Sequence, residues 1–328
     1  MSKKIKLAIV GATGLVGRTI LKVLEEKRLS NFEYTLFCSQ KSAGNKLRFL
    51  DKEYVLEELN DNSFDAGFDY AIFSAGATVA HHFAPIAVSK GCIVIDNSST
   101  FRMSEDVPLV VPEVNPEDIY LNNGIIANPN CSTIQAVVAL KPLDDNYSIK
   151  RIIYSTYQAV SGAGKQGLID LENGPKGILP QKFTHSIYNN CIPHIDSFID
   201  NGYTKEEIKM INETQKILHN PNLKITATAV RVPVQNSHSE SINIELNKPF
   251  DIAEVNKILS SFPGITVLDN PEENIYPIPT LATGQDKVLV GRIRRDFSIE
   301  NGLNIWVVAD NLRKGAASNA IQILEKMI

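Results

Sequence analysis

The sequence predicts an α/β chain of two domains, a parallel sheet covered on both faces followed by an α+β domain. Three observations predict it. Short apolar strand-like runs alternate with helical stretches through the first 130 residues, and glycines punctuate the first strand-to-helix junction. Beyond Cys131 the strands begin to alternate with a period of two, as in residues 241–246. Continuous apolar strands belong to a sheet buried on both faces, whereas alternation fits antiparallel strands with one wet face. At 328 residues the chain can build two cores.

The elements follow in order. Residues 5–10 form an apolar, β-branched run that stops at Gly11, and residues 15–27 place Ile20, Val23 and Leu24 at helical spacing. Residues 34–38 read as a second strand ending in the polar turn 39–44, and residues 70–73 as a buried strand closed by Ser74, Ala75 and Gly76. A helix over 79–89 leads to a strand at 92–95 that ends in Asp96-Asn97-Ser98-Ser99. The second domain reads as a helix at 132–140, a strand at 151–158, an irregular Gly- and Pro-rich stretch over 162–193, and a helix near 205–218. Strands follow at 225–232, 241–246, 287–293 and 303–309. Residues 312–328 read as one amphipathic helix. The domains are therefore placed at 1–130 and 131–311, with the terminal helix expected to pack back on the first.

Composition narrows the function. The chain is 43% hydrophobic and 21% charged with a formal net charge of −4, without the concentrated basic face of a nucleic-acid binder. The basic clusters Lys3–Lys4 and Arg292, Arg294, Arg295 are too short to change that. No apolar run reaches the roughly 18 residues of a membrane span, and residues 5–10 are too short for a signal-peptide core, so a cytoplasmic location is expected. The four cysteines (38, 92, 131, 191) form no Cys-x-x-Cys pair. They read as reduced thiols, not as a disulfide framework or a metal site.

Gly11-Ala12-Thr13-Gly14-Leu15-Val16-Gly17 stands at the first strand-to-helix turn. Glycines there permit positive φ and let backbone N–H groups approach a pyrophosphate at the helix N-terminus, as in a Rossmann domain. The end of the second strand discriminates between nicotinamide cofactors. An NAD site places a carboxylate there for the ribose 2′-hydroxyl. This chain offers Ser39, Gln40, Lys41 and Ser42 instead, which suits the 2′-phosphate of NADP(H).

Asn128-Pro129-Asn130-Cys131-Ser132-Thr133 lies between a strand and a helix. The helix N-terminus favours a thiolate on Cys131, whereas Cys38 and Cys92 sit within apolar runs and read as packing. Oxidising an aldehyde by hydride transfer needs a nucleophile that first makes a tetrahedral adduct, and Cys131 fits that need. A proton carrier is also required. His81 and His82 read as surface or capping residues of a helix and His219 as a loop residue, while His185, His194 and His238 all remain candidates.

With Asp96-Asn97-Ser98-Ser99, Phe101-Arg102-Met103, residues 111–115 (VPEVN), 158–164 (QAVSGAG), 231–234 (RVPV), 238–240 (HSE) and Asp310-Asn311-Leu312 with Lys314-Gly315-Ala316, these segments resemble the aspartate-β-semialdehyde dehydrogenase family. The match runs in order from residue 5 to about 320. The resemblance implies a second domain of the glyceraldehyde-phosphate-dehydrogenase-like kind and an NADPH-dependent reduction of L-aspartyl-4-phosphate to aspartate semialdehyde and inorganic phosphate. That reaction serves lysine, threonine, methionine and diaminopimelate biosynthesis. It implies Cys131 as nucleophile, His238 as acid/base and Gln158 as the group orienting substrate beside the cysteine. Arg231 would take the α-carboxylate, Glu206 the amino group, and Lys209 with Arg102 the phosphate, with Asn130 in the same site. Thr13, Leu15, Val16, Ser74, Ala75, Gly76, Ser161, Gly162 and Asn311 would join the glycines and Ser39, Lys41 and Ser42 at the cofactor. A homodimer or tetramer is expected, with neither nucleic acid nor membrane as partner.

Two departures stand out. Lys41 replaces an arginine and Asn45 a lysine of the family pattern, and the segment 167–193, an interface or lid region in the family, is short. The competing readings are an N-acetyl-glutamyl-phosphate reductase, whose acylated substrate suits Glu206 poorly, and a non-catalytic NADP-binding paralogue, which would not need Cys131, Gln158, Arg231 and His238 together.

Overall fold

The computed structural model describes residues 4–29 and 31–328; Lys3 of the N-terminal basic pair lies outside the described residues. The chain divides into two compact units, Met1–Pro129 with Ala316–Ile328, and Asn130–Gly315. Among the described residues no helix is long and apolar enough to cross a membrane, no group of acidic, histidine or cysteine side chains could hold a metal ion, and no disulfide forms.

The first unit is a six-stranded sheet built from β1 (Ile5–Val10), β2 (Phe32–Cys38), β5 (Glu57–Glu58), β6 (Tyr70–Phe73), β7 (Ile93–Asp96) and β8 (Ile125–Ala127), in the order β5-β2-β1-β6-β7-β8. Every pairing is parallel. Alternation along β1 sends Leu7 and Ile9 into one core with Ile20 and Leu24 of helix α1 (Leu15–Lys27), and Ala8 and Val10 into the opposite core with Phe37, Phe73 and Ala84 of helix α2 (Ala77–Ser89). That double burial is why these strands read as unbroken apolar runs. A hairpin of β3 (Lys46–Phe49) and β4 (Lys52–Val55) was not foreseen. Its two-residue turn puts Leu50 at φ 50° and Asp51 at φ 58°, a conformation usually signalled by Asn or Gly.

The second unit opens with α3 (Cys131–Tyr147), longer than the sequence suggested because Pro142 stays inside the helix. A mixed sheet follows in the order β10-β9-β11-β14-β13-β12, from β9 (Ile149–Gln158), β10 (Lys224–Arg231), β11 (His238–Leu246), β12 (Ile265–Val267), β13 (Val288–Asp296) and β14 (Gly302–Ala309). β10 runs parallel to β9, while β11 runs antiparallel to both β9 and β14. Helix α5 (Lys205–Ile217) packs on β10, and α3 packs on β9, β11 and β14. The expected irregular stretch contains α4 (Lys165–Asn173), and α6 (Ile252–Ser261) and the short α7 (Pro279–Ala282) complete the unit. Two expectations are corrected here. β11 begins at His238, three residues before the strand expected over 241–246. The tail is not one helix: Arg313–Ala317 is a π-helical turn, and only then does α8 (Ser318–Glu325) begin in the core of the first unit, with Ile321 and Leu324 fully buried.

Candidate active site

The second unit's sheet arranges the candidate residues in rows. Parallel register sets Arg231, at the end of β10, beside Gln158, at the end of β9. Ser239 stands opposite Tyr157, so the same register brings His238 beside Gln158. All three side chains are buried. One step behind lie Ala229, Thr156 and Glu240, paired across the same strands. Helix α3 points its first turn at this edge: Cys131 is its first residue, and the Asn130 side chain caps it by accepting the N–H groups of Ser132 and Thr133 at 2.9 and 3.4 Å.

His238 is held by main chain. The Ala159 N–H donates to Nδ1 at 3.0 Å. In the neutral ring Nδ1 is therefore the acceptor and Nε2 carries the proton. Nε2 is buried and has no partner among the described residues. Burial pushes the imidazole pKa well below its ordinary value and the Arg231 charge adds to the shift, so the ring is uncharged. Arg231 donates from Nη1 to the Ala159 carbonyl at 2.7 Å. Burial lowers its pKa, against the pull of Glu206 and Cys131. Gly162 makes room for both groups: a Cβ there would sit 2.9 Å from Arg231 Nη1 and 3.2 Å from His238 Nε2.

Two buried carboxyls differ in company. Glu206 Oε1 accepts from the side-chain amides of Asn130 at 3.0 Å and Gln158 at 3.1 Å, and Oε2 accepts from Lys209 Nζ at 3.3 Å. At 5% exposure it is not one half of a solvated surface ion pair. Lys209 also reaches Asp196 at 2.7 Å. Helix α5 holds Glu206 in place through a Thr204–Glu207 capping box and through Glu213, which accepts the Asn130 N–H at 2.6 Å. Glu240, fully buried, has no partner on either oxygen among the described residues. Burial first, then the charge of Glu206, raises its pKa well above the ordinary carboxyl value, so Glu240 is a neutral acid.

The first unit's candidate site is built from backbone. Gly11 has φ +87°, and a Cβ there would meet Ser74 main-chain atoms at 2.9 Å. A Cβ on Gly17 would lie 2.1 Å from the Gly11 carbonyl oxygen, the close strand–helix approach of a dinucleotide loop. The N-terminus of α1 has no side-chain cap and no acidic residue in its first turn. Thr13, Gly14, Leu15 and Val16 therefore fit a pyrophosphate. Gly76, at φ +89°, closes the parallel turn after β6 with Ser74 and Ala75. Beside the first turn a cleft of about 520 Å³ is lined by Thr13, Ser42, the carboxylate Glu25 and the cations Arg18, Lys22, Lys46 and Arg48, of which Lys46 pairs with Glu53 and Arg48 with Asp51. Ser39 and Lys41 are exposed and do not line it. The sequence reading missed these cations: Lys46 and Arg48 depend on the unforeseen hairpin, while Arg18 and Lys22 lie on the expected helix α1. Arg102 is buried in this unit, donating from Nε to the Asn128 carbonyl at 3.0 Å and from Nη2 to the Asn97 carbonyl at 2.9 Å.

Residues 6–121 match the family model described as semialdehyde dehydrogenase, NAD binding domain, and residues 140–314 match that described as semialdehyde dehydrogenase, dimerisation domain. The aspartate-semialdehyde dehydrogenase of Aquifex aeolicus is 53% identical over 98% of both chains, and that of Bacillus subtilis 47% identical over 100% of this chain and 98% of the relative. The chain belongs to the aspartate-semialdehyde dehydrogenase family. A crystal structure of aspartate semialdehyde dehydrogenase II from Vibrio cholerae complexed with ASA superposes with a TM-score of 0.94 at 46% identity, covering 99% of this chain and 98% of that one. The Candida albicans enzyme with NADP gives 0.79 at 27% identity, covering 99% and 98%.

Within that family fold the other cysteines are set apart by their surroundings. Burial pushes the Cys92 thiol up to about 12 and raises Cys38, as their apolar strands suggested. Ser161, Gly162 and Asn311 lie together in the second unit, where Asn311 donates to Ser161 Oγ at 3.0 Å and accepts the Ser237 N–H at 2.9 Å. Sequence reasoning did not find the Ala159 N–H, which no side-chain motif advertises. It also missed Glu240, although its position two residues beyond His238 places it on the same strand face.

Proposed function

We propose that this semialdehyde dehydrogenase reduces L-aspartyl-4-phosphate to aspartate 4-semialdehyde through a thioester on Cys131, with NADPH as reductant. The observation that carries the reading is the buried row Arg231–Gln158–His238 at one sheet edge, with Glu206 of α5 accepting from Gln158. Cys131 Sγ attacks the acyl carbon and phosphate leaves, giving the thioester. NADPH, when bound at the glycine turn and the cationic cleft, supplies the hydride that reduces it. In both tetrahedral adducts the carbonyl oxygen carries negative charge, and the neutral His238 ring answers it as a hydrogen-bond donor from Nε2–H. Expulsion of the Cys131 thiolate then yields the aldehyde. Arg231 pairs with the α-carboxylate through its planar fork, and Glu206 takes the ammonium. An N-acylated substrate has no charge for Glu206, which supports the free amino acid. Lys209, at the rim, offers a cation for phosphate.

We also propose a homodimer that uses the outer face of the second unit's sheet. Tyr157 and Trp306 meet there with ring centroids 5.4 Å apart and planes tilted by 48°, beside a cleft of about 380 Å³ that Tyr276, Ile278 and Arg292 help line.

The test runs the reaction in reverse. Phosphate-dependent NADP reduction is expected with aspartate semialdehyde, and far less with the N-acetylglutamate analogue or with NAD. Equal rates with the acetylated aldehyde would sink the substrate assignment, and equal kcat/KM for NAD the cofactor assignment.

A further inference from the structure

Between β14 and α8 the chain touches Cys131 and the residues that lead into His238. Asp310 is buried, and its Oδ2 accepts the Asn236 side-chain amide and the Gly284 N–H, each at 2.8 Å. Its Oδ1 accepts the N–H groups of Leu312 at 2.9 Å and Arg313 at 3.1 Å. Asn311 accepts the Ser237 N–H at 2.9 Å. Asn236 and Ser237 are the residues that lead into His238. At the other end Arg313 anchors to Asp286 by two bonds, at 2.9 and 3.1 Å, and the Gly315 N–H returns to the Asp310 carbonyl at 3.0 Å. Gly315 then lies against the nucleophile. A Cβ on it would sit 2.9 Å from Cys131 Cβ, 3.3 Å from its Cα and 3.4 Å from its carbonyl oxygen. These are main-chain atoms and the first side-chain carbon, which cannot swing aside as the tip of a flexible side chain can. The π-helical turn Arg313–Ala317 that presents Gly315 is a form found often at functional sites.

We infer that residues 310–315 are a positioning bracket, with Asp310 fixing the approach to His238 and Gly315 seating Cys131, so that one short turn sets nucleophile against hydrogen-bond donor. Neither residue touches substrate in this scheme; each acts through another. The inference rests on the proposed roles of Cys131 and His238.

Two variants test it in the intact enzyme. Gly315→Ala must displace Cys131 by a few tenths of an ångström or more. A kcat loss of roughly ten- to a hundredfold is expected, with KM for NADPH within about twofold. Asp310→Asn keeps the size but turns one accepting oxygen into a donor facing Gly284 and Asn236, and should lower kcat in the same sense. Iodoacetamide labelling of Cys131 without substrate, read by peptide mass spectrometry against exposed Cys191, should change in Gly315→Ala; a merely structural glycine would leave the ratio unmoved. Wild-type kcat together with a wild-type labelling ratio in Gly315→Ala overturns the bracket, as does an Asp310→Asn enzyme with unchanged kcat. Failure of the thioester reading looks different: Cys131 of the parent enzyme then forms no acyl adduct, while the labelling comparison still reports whether Gly315 seats it.

Discussion

The two units build their sites from opposite materials. At the strand ends of the first unit the chain presents main chain, with Gly11 and Gly17 leaving space that a Cβ would fill and α1 offering an uncapped N-terminus. At the sheet edge of the second unit it presents buried functional groups, Arg231, Gln158, His238 and Glu206, each with named partners. The first arrangement tolerates many side chains and few backbone changes. The second tolerates few side-chain changes, because each group lost strands another in a buried setting.

The sharpest way to break that contrast is to remove the chemistry and ask whether the cofactor notices. Cys131→Ala should lower kcat by roughly 10⁴-fold or more, while NADPH binding, followed by fluorescence titration, stays close to the parent value. A variant that still turns over substantially, or that loses NADPH affinity in parallel, erases the division of labour.

Next in size is Arg231→Lys. The charge survives, but the planar fork and the 2.7 Å bond to the Ala159 carbonyl are lost. Misplacing the substrate by about 1 Å costs on the order of a hundredfold in kcat/KM. An aldehyde without the carboxylate should react poorly with the parent enzyme and be nearly indifferent to the change; if both aldehydes suffer alike, Arg231 is structural.

The smallest expected effect concerns Glu240, and its sign is fixed. Its carboxyl is protonated when folded and ionises at about 4.3 when unfolded. The stability it contributes is thus complete below about pH 4.3 and is lost progressively as pH rises toward the folded value. Glu240→Gln removes that dependence. Its melting temperature should exceed the parent's increasingly as pH rises above the ordinary carboxyl range, with a near-parent rate at neutral pH. A Tm gain that does not grow with pH would show that Glu240 carries its charge in the folded protein.

The same contrast explains what could be read from the sequence. The Gly11–Gly17 turn and the unbroken apolar strands around it are local patterns, and the parallel sheet they implied is the one found. Cys131 was legible because a helix start is local too. The row Arg231–Gln158–His238 depends on a parallel pairing across more than 70 residues and an antiparallel return; resemblance named its members, but no spacing in the chain reveals their adjacency. The hairpin of β3 and β4 stayed hidden because Leu50 and Asp51 adopt a turn that other residues usually mark. The break between residues 312 and 318 was missed because the π turn runs directly into α8, with no proline or loop segment in the sequence to mark the junction.

The lock on His238 has a genetic consequence. Its key is a peptide N–H at position 159, and nineteen of the twenty standard residues carry that group, proline alone lacking it. Packing limits the choice further, since Ala159 is fully buried, but no change of side-chain chemistry at that position removes the donor. The tautomer is therefore insulated from most mutational drift, whereas the groups that meet substrate are each one codon change from failure. A deep mutational scan should find position 159 sensitive to size and to proline but indifferent to polarity among small residues, the reverse of the pattern expected at Gln158 beside it.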